Sequence, residues 1–292
     1  MPDDWARAAK RRLRSTARAA IIQARLLTGD AAGRGLPDYI IIGAQKGGTT
    51  SLQKALAAHP DVCPSLLKEV HYFDLAYHRG ARWYRAHFAR EARRNQARKQ
   101  GRALVMGEAT PFYLAHPLAA ERAAALVPDA RLVVLLRNPV ERAHSHYRHE
   151  VRMGHEDAPV VEALLRELSN GGGEPSTDPL GDPWAWQHRS YLQRGLYAQQ
   201  LWAWMRWFPR EQFLILRSED YFANGLGTLD PVCEHLGIRP ASAVGDPTAY
   251  LGHHNRGDRA AALPLAVRQR LEAYYAEPNR QLEELLGRPT GW

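Results

Sequence analysis

The stretch "DYIIIGAQKGGTTSLQKALAAHP", residues 38–60, constrains the fold more than any other part of the chain. Tyr39 to Gly43 is apolar without alternation and too short for a helix, so it reads as a strand covered on both faces. Beyond the glycines, Leu52, Ala55 and Leu56 recur at helical spacing until His59-Pro60 stops them. Strand, glycine-rich turn and helix in succession make an anion cradle, because the first N–H groups of a helix have no acceptor inside it. In this reading the N–H groups of Thr49, Thr50 and Ser51 face the anion. Gly47 and Gly48 let the backbone approach it, Lys46 adds a full positive charge, and Thr49 and Thr50 add hydroxyls. The Walker pattern GxxxxGK[ST] places its lysine after the glycines, whereas Lys46 precedes Gly47-Gly48, so the turn does not read as that of a standard NTPase.

The same logic recurs further on. Leu132 to Leu136 is a second buried run, Arg137-Asn138 is its turn, and Pro139 suits the first position of a helix. Ala103 to Gly107 reads as a third strand and Phe213 to Leu216 as a fourth. Helical patterns cover Tyr191 to Phe208 and Pro264 to Leu286. Strands alternating with helices predict an α/β fold, P-loop-like and three-layered, with a central, mainly parallel sheet flanked by helices. Ligands of such sheets sit outside the carboxyl ends of the strands, so two adjacent turns suit two phosphates of one nucleotide. Arg137 would grip one of them bidentately, and Ser145, two helical turns on, would add a hydroxyl. The competing readings are an ion pair between Arg137 and Glu141, and an ordinary helix-surface serine.

Composition sets the outer limits. The 292 residues are 45% hydrophobic and 24% charged, which suits a soluble globular domain. No apolar stretch approaches the roughly 20 residues of a membrane span. Residues 1–34 hold eight Lys or Arg against three Asp, so this segment supplies five of the eight net positive charges. The body is only mildly basic, and the charge is poor evidence for a nucleic-acid partner. Residues 1–27 form a basic amphipathic helix with Trp5, Ala9, Leu13, Ala20, Ala24 and Leu27 on one face. The chain therefore divides into an N-terminal helical segment, 1–36, and a main domain, 37–292. The helix either docks on that domain or attaches reversibly to an anionic membrane surface. Cys63 and Cys233 lack a CxxC partner, which argues against a metal site or a disulfide framework and favours a reducing, cytoplasmic setting. Residues 169–183, "SNGGGEPSTDPLGDP", read as a loop.

Several motifs carry a resemblance to a known family. "QKGGTT" after "YIIIG", and "LLRNPVERAHSHY", resemble the 5′-phosphosulfate loop and the 3′-phosphate segment of sulfotransferases that use 3′-phosphoadenylyl sulfate (PAPS). "KEVHYFD", "GEATPFYL", "FPREQFLILRSED" and "YYAEPNRQLEELLGRPTGW" are similar to the heparan-sulfate type and its bacterial relatives. The resemblance implies sulfuryl transfer from PAPS to a hydroxyl or amine of a small-molecule, glycan or lipid-linked acceptor, leaving PAP. It implies Lys46 as stabiliser of the leaving phosphate, Glu69 as general base and His71 as a partner that shares or orients the proton, with no metal required. In "YLGHHNRGDR" it assigns Arg256, Gly257 and Arg259 to the later nucleotide loop, although Asp258 interrupts the usual Lys-Gly-Arg pattern. Ala109 stands where the heparan type commonly has lysine. Trp83, Tyr84, Trp184, Trp186 and Tyr191 are candidates for an aromatic wall against the acceptor, although core packing is the favoured reading for any one of them. Tyr197 resembles a position near the nucleotide and also fits a buried helical stripe.

Two other readings compete. An ATP- and Mg²⁺-dependent P-loop kinase would need a Walker-B acid, whereas "LVVLLRNP" ends its strand in arginine. A non-enzymatic basic binding module would need positive charge across the domain rather than in one tail.

Overall fold

A computed structural model describes residues 16–169, 182–244 and 262–292. Its centre is a five-stranded parallel sheet of β1 (Tyr39–Gly43), β2 (Val62–Pro64), β3 (Val105–Ala109), β4 (Arg131–Leu136) and β5 (Phe213–Arg217), in the order β2-β3-β1-β4-β5. The helices that precede or follow β1 to β3 are α1 (16–27), α2 (Thr49–Ala58), α3 (Gly80–Arg85) and α4 (Glu91–Lys99). Between β3 and β5 come α5 (Ala119–Leu126), α6 (Pro139–Met153), α7 (Val160–Ser169), α8 (Pro183–Arg189) and α9 (Tyr197–Met205). After β5 come α10 (Ser218–Ala223), α11 (Gly225–Leu236) and α12 (Leu265–Leu286).

The unalternated apolar runs are explained by helices on both faces. Ile40, Ile42, Leu132, Val134 and Leu136 enter one buried cluster with Tyr72, Tyr84 and Trp204. Their neighbours Tyr39, Ile41, Val133 and Leu135 enter another with Leu52 and Leu56 of α2 and Val232 of α11. Because β1 lies between β3 and β4, connections leave it in both directions, and the turn after β1 sits at the point where strand order reverses.

Three local expectations are corrected. β3 runs from Val105 to Ala109 rather than from Ala103 to Gly107: Val105 N–H donates to the Asp61 carbonyl at 2.9 Å, and Glu108 and Ala109 pair with Ile40 and Ile41. Glu108 looks like a strand end in sequence, yet it is fully buried, and its carboxyl accepts from Tyr84 Oη (2.5 Å), Thr110 Oγ1 (2.7 Å) and Tyr113 Oη (3.1 Å). Those three hydroxyls offset the penalty of burying it, and burial pushes its pKa up. β2, three residues at the sheet edge, carried too little pattern to read. The helix expected over Tyr191 to Phe208 is a 3-10 turn, Gln193–Gly195, followed by α9. Glu167 accepts the N–H groups of Leu192 (2.9 Å) and Gln193 (3.1 Å), and Tyr275 Oη donates to the Leu192 carbonyl (2.7 Å), so tertiary partners take the backbone groups that a longer helix would use.

Helix α1 docks on the domain, by a different face from the one expected. Ile22 is buried with Ala31 and Ala86, Leu26 packs beside it, and Arg25 donates to the Ala86 carbonyl at 2.7 Å. Ala20, Ala24 and Leu27 face outward, Leu27 with 78% exposure. Residues 1–15, and 170–181 of the expected loop, lie outside the described residues.

Candidate active site

The carboxyl ends of β1, β3, β4 and β5 converge on the turn at 44–48. Ala44 N–H donates to the Leu135 carbonyl (2.9 Å), Gly47 N–H to the Ala44 carbonyl (2.9 Å), and Ser218 Oγ to the Gly47 carbonyl. A Cβ on Gly47 would stand 2.3 Å from the Leu135 carbonyl oxygen, so the turn lies backbone to backbone on β4. Gly48 caps α2 at φ 99°, where an L side chain is strained, and offers no side-chain acceptor. The glycines thus serve the protein's own close packing as well as any approach by a ligand. Ser51 N–H donates to the Gly48 carbonyl at 2.9 Å, which corrects the expectation that it stays unpaired and leaves the N–H groups of Thr49 and Thr50 for an anion. The Thr49 and Ser51 side chains are buried, while Thr50 is only half-buried.

Lys46 is half-buried, and its ammonium forms no hydrogen bond or ion pair among the described residues. Burial, with Arg152 and Arg137 nearby, lowers its pKa to about 8, against the raising influence of Glu150 and Glu69. Arg137 donates to the Lys46 carbonyl at 3.3 Å and is therefore brought to the first turn. Its own carbonyl accepts from Tyr197 Oη at 2.9 Å, so the buried-stripe tyrosine is also what holds the second turn. Glu141 pairs with Arg268 at 2.6 Å, which removes it as the partner of Arg137. Asn138 caps α6 by accepting from Val140 (3.0 Å) and Glu141 (3.2 Å), with Pro139 in the first turn as expected. Ser145 lies half-buried on α6, two turns along from Arg137.

Opposite this donor side stands a charge relay of three residues. Glu69 N–H continues from the sheet by donating to the Ala109 carbonyl at 3.0 Å. Its carboxylate accepts from Lys68 Nζ and faces His71 Nε2 at 3.6 Å, and His71 Nδ1 donates to Asp74 Oδ2 at 2.7 Å. The Asp74 side chain is fully buried. Burial opposes ionisation of both Glu69 and His71, but their partners win. His71 and Lys68 bring the Glu69 pKa down to about 2, and Asp74 and Glu69 bring that of His71 up to about 10. The result is an imidazolium held between two carboxylates. Glu69 (φ 60°) and His71 (φ 55°) both adopt the left-handed conformation, which costs about 1 kcal/mol or more for a residue with a side chain.

Arg194 is a site residue that sequence reasoning missed. It is 3% exposed, donates to Gln45 Oε1 of the donor turn, to the Trp186 carbonyl (3.0 Å) and to the Gln187 carbonyl (2.8 Å), and lies 4.5 Å over the Phe112 ring. Burial, with Arg142 beside it, lowers its pKa to about 9. The only signal in sequence was an arginine inside an apolar stretch, "YLQRGLY". The expected aromatic wall is mostly core: Tyr84 and Tyr191 are fully buried, Trp186 is 5% exposed, and Trp83 sits against His87 at 4.4 Å. Trp184 alone of this set is exposed. Cys63 and Cys233 are buried free thiols. Arg256, Gly257 and Arg259 lie outside the described residues.

Residues 36–250 match the sulfotransferase domain family. The chain belongs to that family. It is 32% identical over 279 residues to mouse heparan sulfate glucosamine 3-O-sulfotransferase 6, a match covering 89% of this chain and 74% of the mouse protein. It is 26% identical to the membrane-associated sulfotransferase kil1 of Dictyostelium discoideum, over 88% of this chain and 66% of that one. The crystal structure of a sulfotransferase from Alicyclobacillus acidocaldarius superposes with a TM-score of 0.65 at 28% identity, covering 88% of this chain and 98% of that chain. This sulfotransferase is thus an enzyme built on the P-loop-like α/β fold. Within it, no described helix is long and apolar enough to cross a membrane.

Proposed function

We propose that this sulfotransferase moves the sulfuryl group of PAPS to a hydroxyl or amine and releases PAP. The observation that carries the reading is that the turn bearing Lys46, which runs into α2, and the Glu69 segment, whose N–H donates to the Ala109 carbonyl at 3.0 Å, follow the carboxyl ends of the adjacent strands β1 and β3. In the proposed step, the acceptor oxygen or nitrogen forms a bond to sulfur while the bond between sulfur and the bridging oxygen breaks. The electron pair stays on the 5′-phosphate, where Lys46 and the N–H groups of Thr49 and Thr50 meet it. Glu69 takes the acceptor proton, and His71, fixed by Asp74, steadies that carboxylate. Arg137 and Ser145 serve the 3′-phosphate, joined by Arg256, Gly257 and Arg259. Position favours sulfuryl over phosphoryl transfer here, since Lys46 precedes the glycine pair and Arg137 occupies the end of β4.

The acceptor class is a glycan, small-molecule or lipid-linked group. A glycan is supported by the printed activity of the mouse relative, on glucosamine of heparan sulfate. Ala109 is fully buried and puts no cation in the cleft, which weighs against a highly sulfated polysaccharide. Incubation with labelled PAPS and a metabolite extract, followed by mass spectrometry for the gain of one SO₃, identifies the acceptor. PAP raises the melting temperature and ATP with Mg²⁺ does not; the reverse would make the chain a kinase. We further propose that domain 37–292 carries the reaction in the cytoplasm, while the N-terminal segment 1–27, docked through Ile22 and Leu26, contacts anionic membrane by the face that includes the exposed Ala20, Ala24 and Leu27. Deleting residues 1–34 then abolishes binding to phosphatidylserine vesicles and leaves PAP affinity unchanged.

A further inference from the structure

Beside the donor turn lies a cluster that sulfuryl transfer does not use. Glu150, near the end of α6, is 2% exposed and accepts on one oxygen, Oε2, from His155 Nδ1 and His188 Nδ1, each at 2.8 Å. The three donor atoms lie within 4.8 Å of one another. Four residues before Glu150 on the same helix, His146 is fully buried, and neither of its ring nitrogens has a hydrogen-bond partner among the described residues. Its Nε2 stands 3.3 Å from Glu150 Oε1. The rim is open: the His155 and His188 side chains are 31% and 18% exposed, and Trp184 lies over them at 5.7 and 4.9 Å. Arg189, beside His188 in sequence, donates to the His155 carbonyl (3.0 Å) and lies over the Trp184 face (5.3 Å).

We infer that Glu150, His155 and His188 form a binding site for a divalent first-row transition cation of the zinc class. Two imidazoles and one carboxylate are the donor set such ions prefer, and three protein ligands leave a fourth position for water or for His146. Bonds of about 2.0 Å in a tetrahedron separate donor atoms by about 3.3 Å, so the 2.8 Å contacts need open by only about half an ångström. The ion takes the place of the Nδ1 protons now shared with Glu150, and each imidazole then binds through Nδ1 and carries its proton on Nε2. A fully buried imidazole whose one close polar contact among the described residues is the same carboxylate, at 3.3 Å, is the kind of outer group that orients a ligand set. Bound there, the ion joins α6 to α8 on the flank of Lys46. It takes no part in the proposed sulfuryl step.

Titration of the whole, untagged, chelator-treated protein with Co²⁺ tests the site. The expected result is a saturable visible absorption band of four- or five-coordinate cobalt at one equivalent, displaced by Zn²⁺, with quenching of Trp184 fluorescence. His155→Ala and His188→Ala weaken binding at least about tenfold, whereas His78→Ala, on an exposed turn, leaves it unchanged. Trp184→Phe keeps the absorption band and loses the quenching. The inference is overturned by the absence of a saturable band, or by a band that survives in the His155/His188 double variant; either result makes the cluster a hydrogen-bonded carboxylate only. Glu150→Gln, being buried, is compared by circular dichroism before its binding is read.

Discussion

The turn at 44–48 would present backbone to an anion: Ala44 and Gly47 N–H groups find carbonyls at 2.9 Å, Gly47 touches β4 through main chain, Ser218, Arg137 and Arg194 brace it, and the anion would meet main-chain N–H groups of α2. The Glu69 segment, at the same edge of the sheet, is held by side chains. Lys68 and His71 face its carboxylate, and Asp74 holds His71. Main-chain recognition suits the part that every PAPS presents alike, since it depends little on which side chains surround it. A charge relay suits the part that must take a proton, since its pKa values follow from which groups face one another. The difference predicts that substitutions on the Glu69 side impair turnover while nucleotide binding survives, and that substitutions in the turn damage both stability and binding.

The largest expected effect is that of Glu69→Gln, which lowers kcat by about 10²–10⁴-fold with PAP affinity unchanged. A wild-type kcat would show that another group takes the proton. Lys46→Ala lowers kcat by about 10²–10³-fold, as for the loss of one charge stabiliser in a site that excludes water, and undiminished turnover would remove it from the mechanism. Gly47→Ala forces a Cβ to within 2.3 Å of the Leu135 carbonyl. Such overpacking costs about 1–3 kcal/mol by urea unfolding, with loss of PAP binding. If it is neutral, the turn is not a rigid cradle.

Two pH profiles sharpen the contrast at smaller amplitude. Lys46, with its pKa near 8, loses its proton as pH rises, so kcat/KM falls on an alkaline limb near that value. The limb in kcat moves higher, because the bound anion favours the charged ammonium. A profile flat through that region would assign the charge elsewhere. The Glu69–His71–Asp74 relay acts on stability. The folded pKa of His71 is raised from 6.5 to about 10, so its contribution is complete below about 6.5 and lost as pH rises toward 10. That of Glu69 is lowered from 4.5 to about 2, so its contribution is complete above about 4.5 and lost as pH falls toward 2. The relay is therefore fully stabilising between about pH 4.5 and 6.5, and melting temperatures of His71→Ala against pH should lack both flanks.

The legible parts of the fold share one property. β1, the turn, α2, β4 and Pro139 of α6 are each specified within a dozen residues, by apolar runs, glycines and a proline whose backbone consequences are local. Lys46, Gly47 and Gly48 accordingly lie on the turn between β1 and α2, Thr50 in the first turn of α2, and Arg137 directly after β4. Glu108 and Arg194 were not, because a carboxylate in a strand and an arginine in an apolar stretch gain their meaning only from Tyr84, Thr110 and Tyr113, or from Gln45 and Phe112. The face of α1 was misread for the same reason: Ile22 and Leu26 are chosen by what Ala31, Ala86 and Leu67 offer, not by periodicity.

The sequence by itself determined that a buried parallel strand runs into a glycine turn and a helix, the local arrangement that turns a helix's first N–H groups toward whatever lies beyond the strand end. Only the tertiary structure decided which carboxylate faces that place, which imidazole is charged, and which three side chains 38 residues apart at most, from Glu150 to His188, converge on one point. The physical reason is range. Backbone conformation answers to neighbours along the chain, whereas protonation, ion pairing and ligand geometry answer to whatever folding brings within a few ångströms.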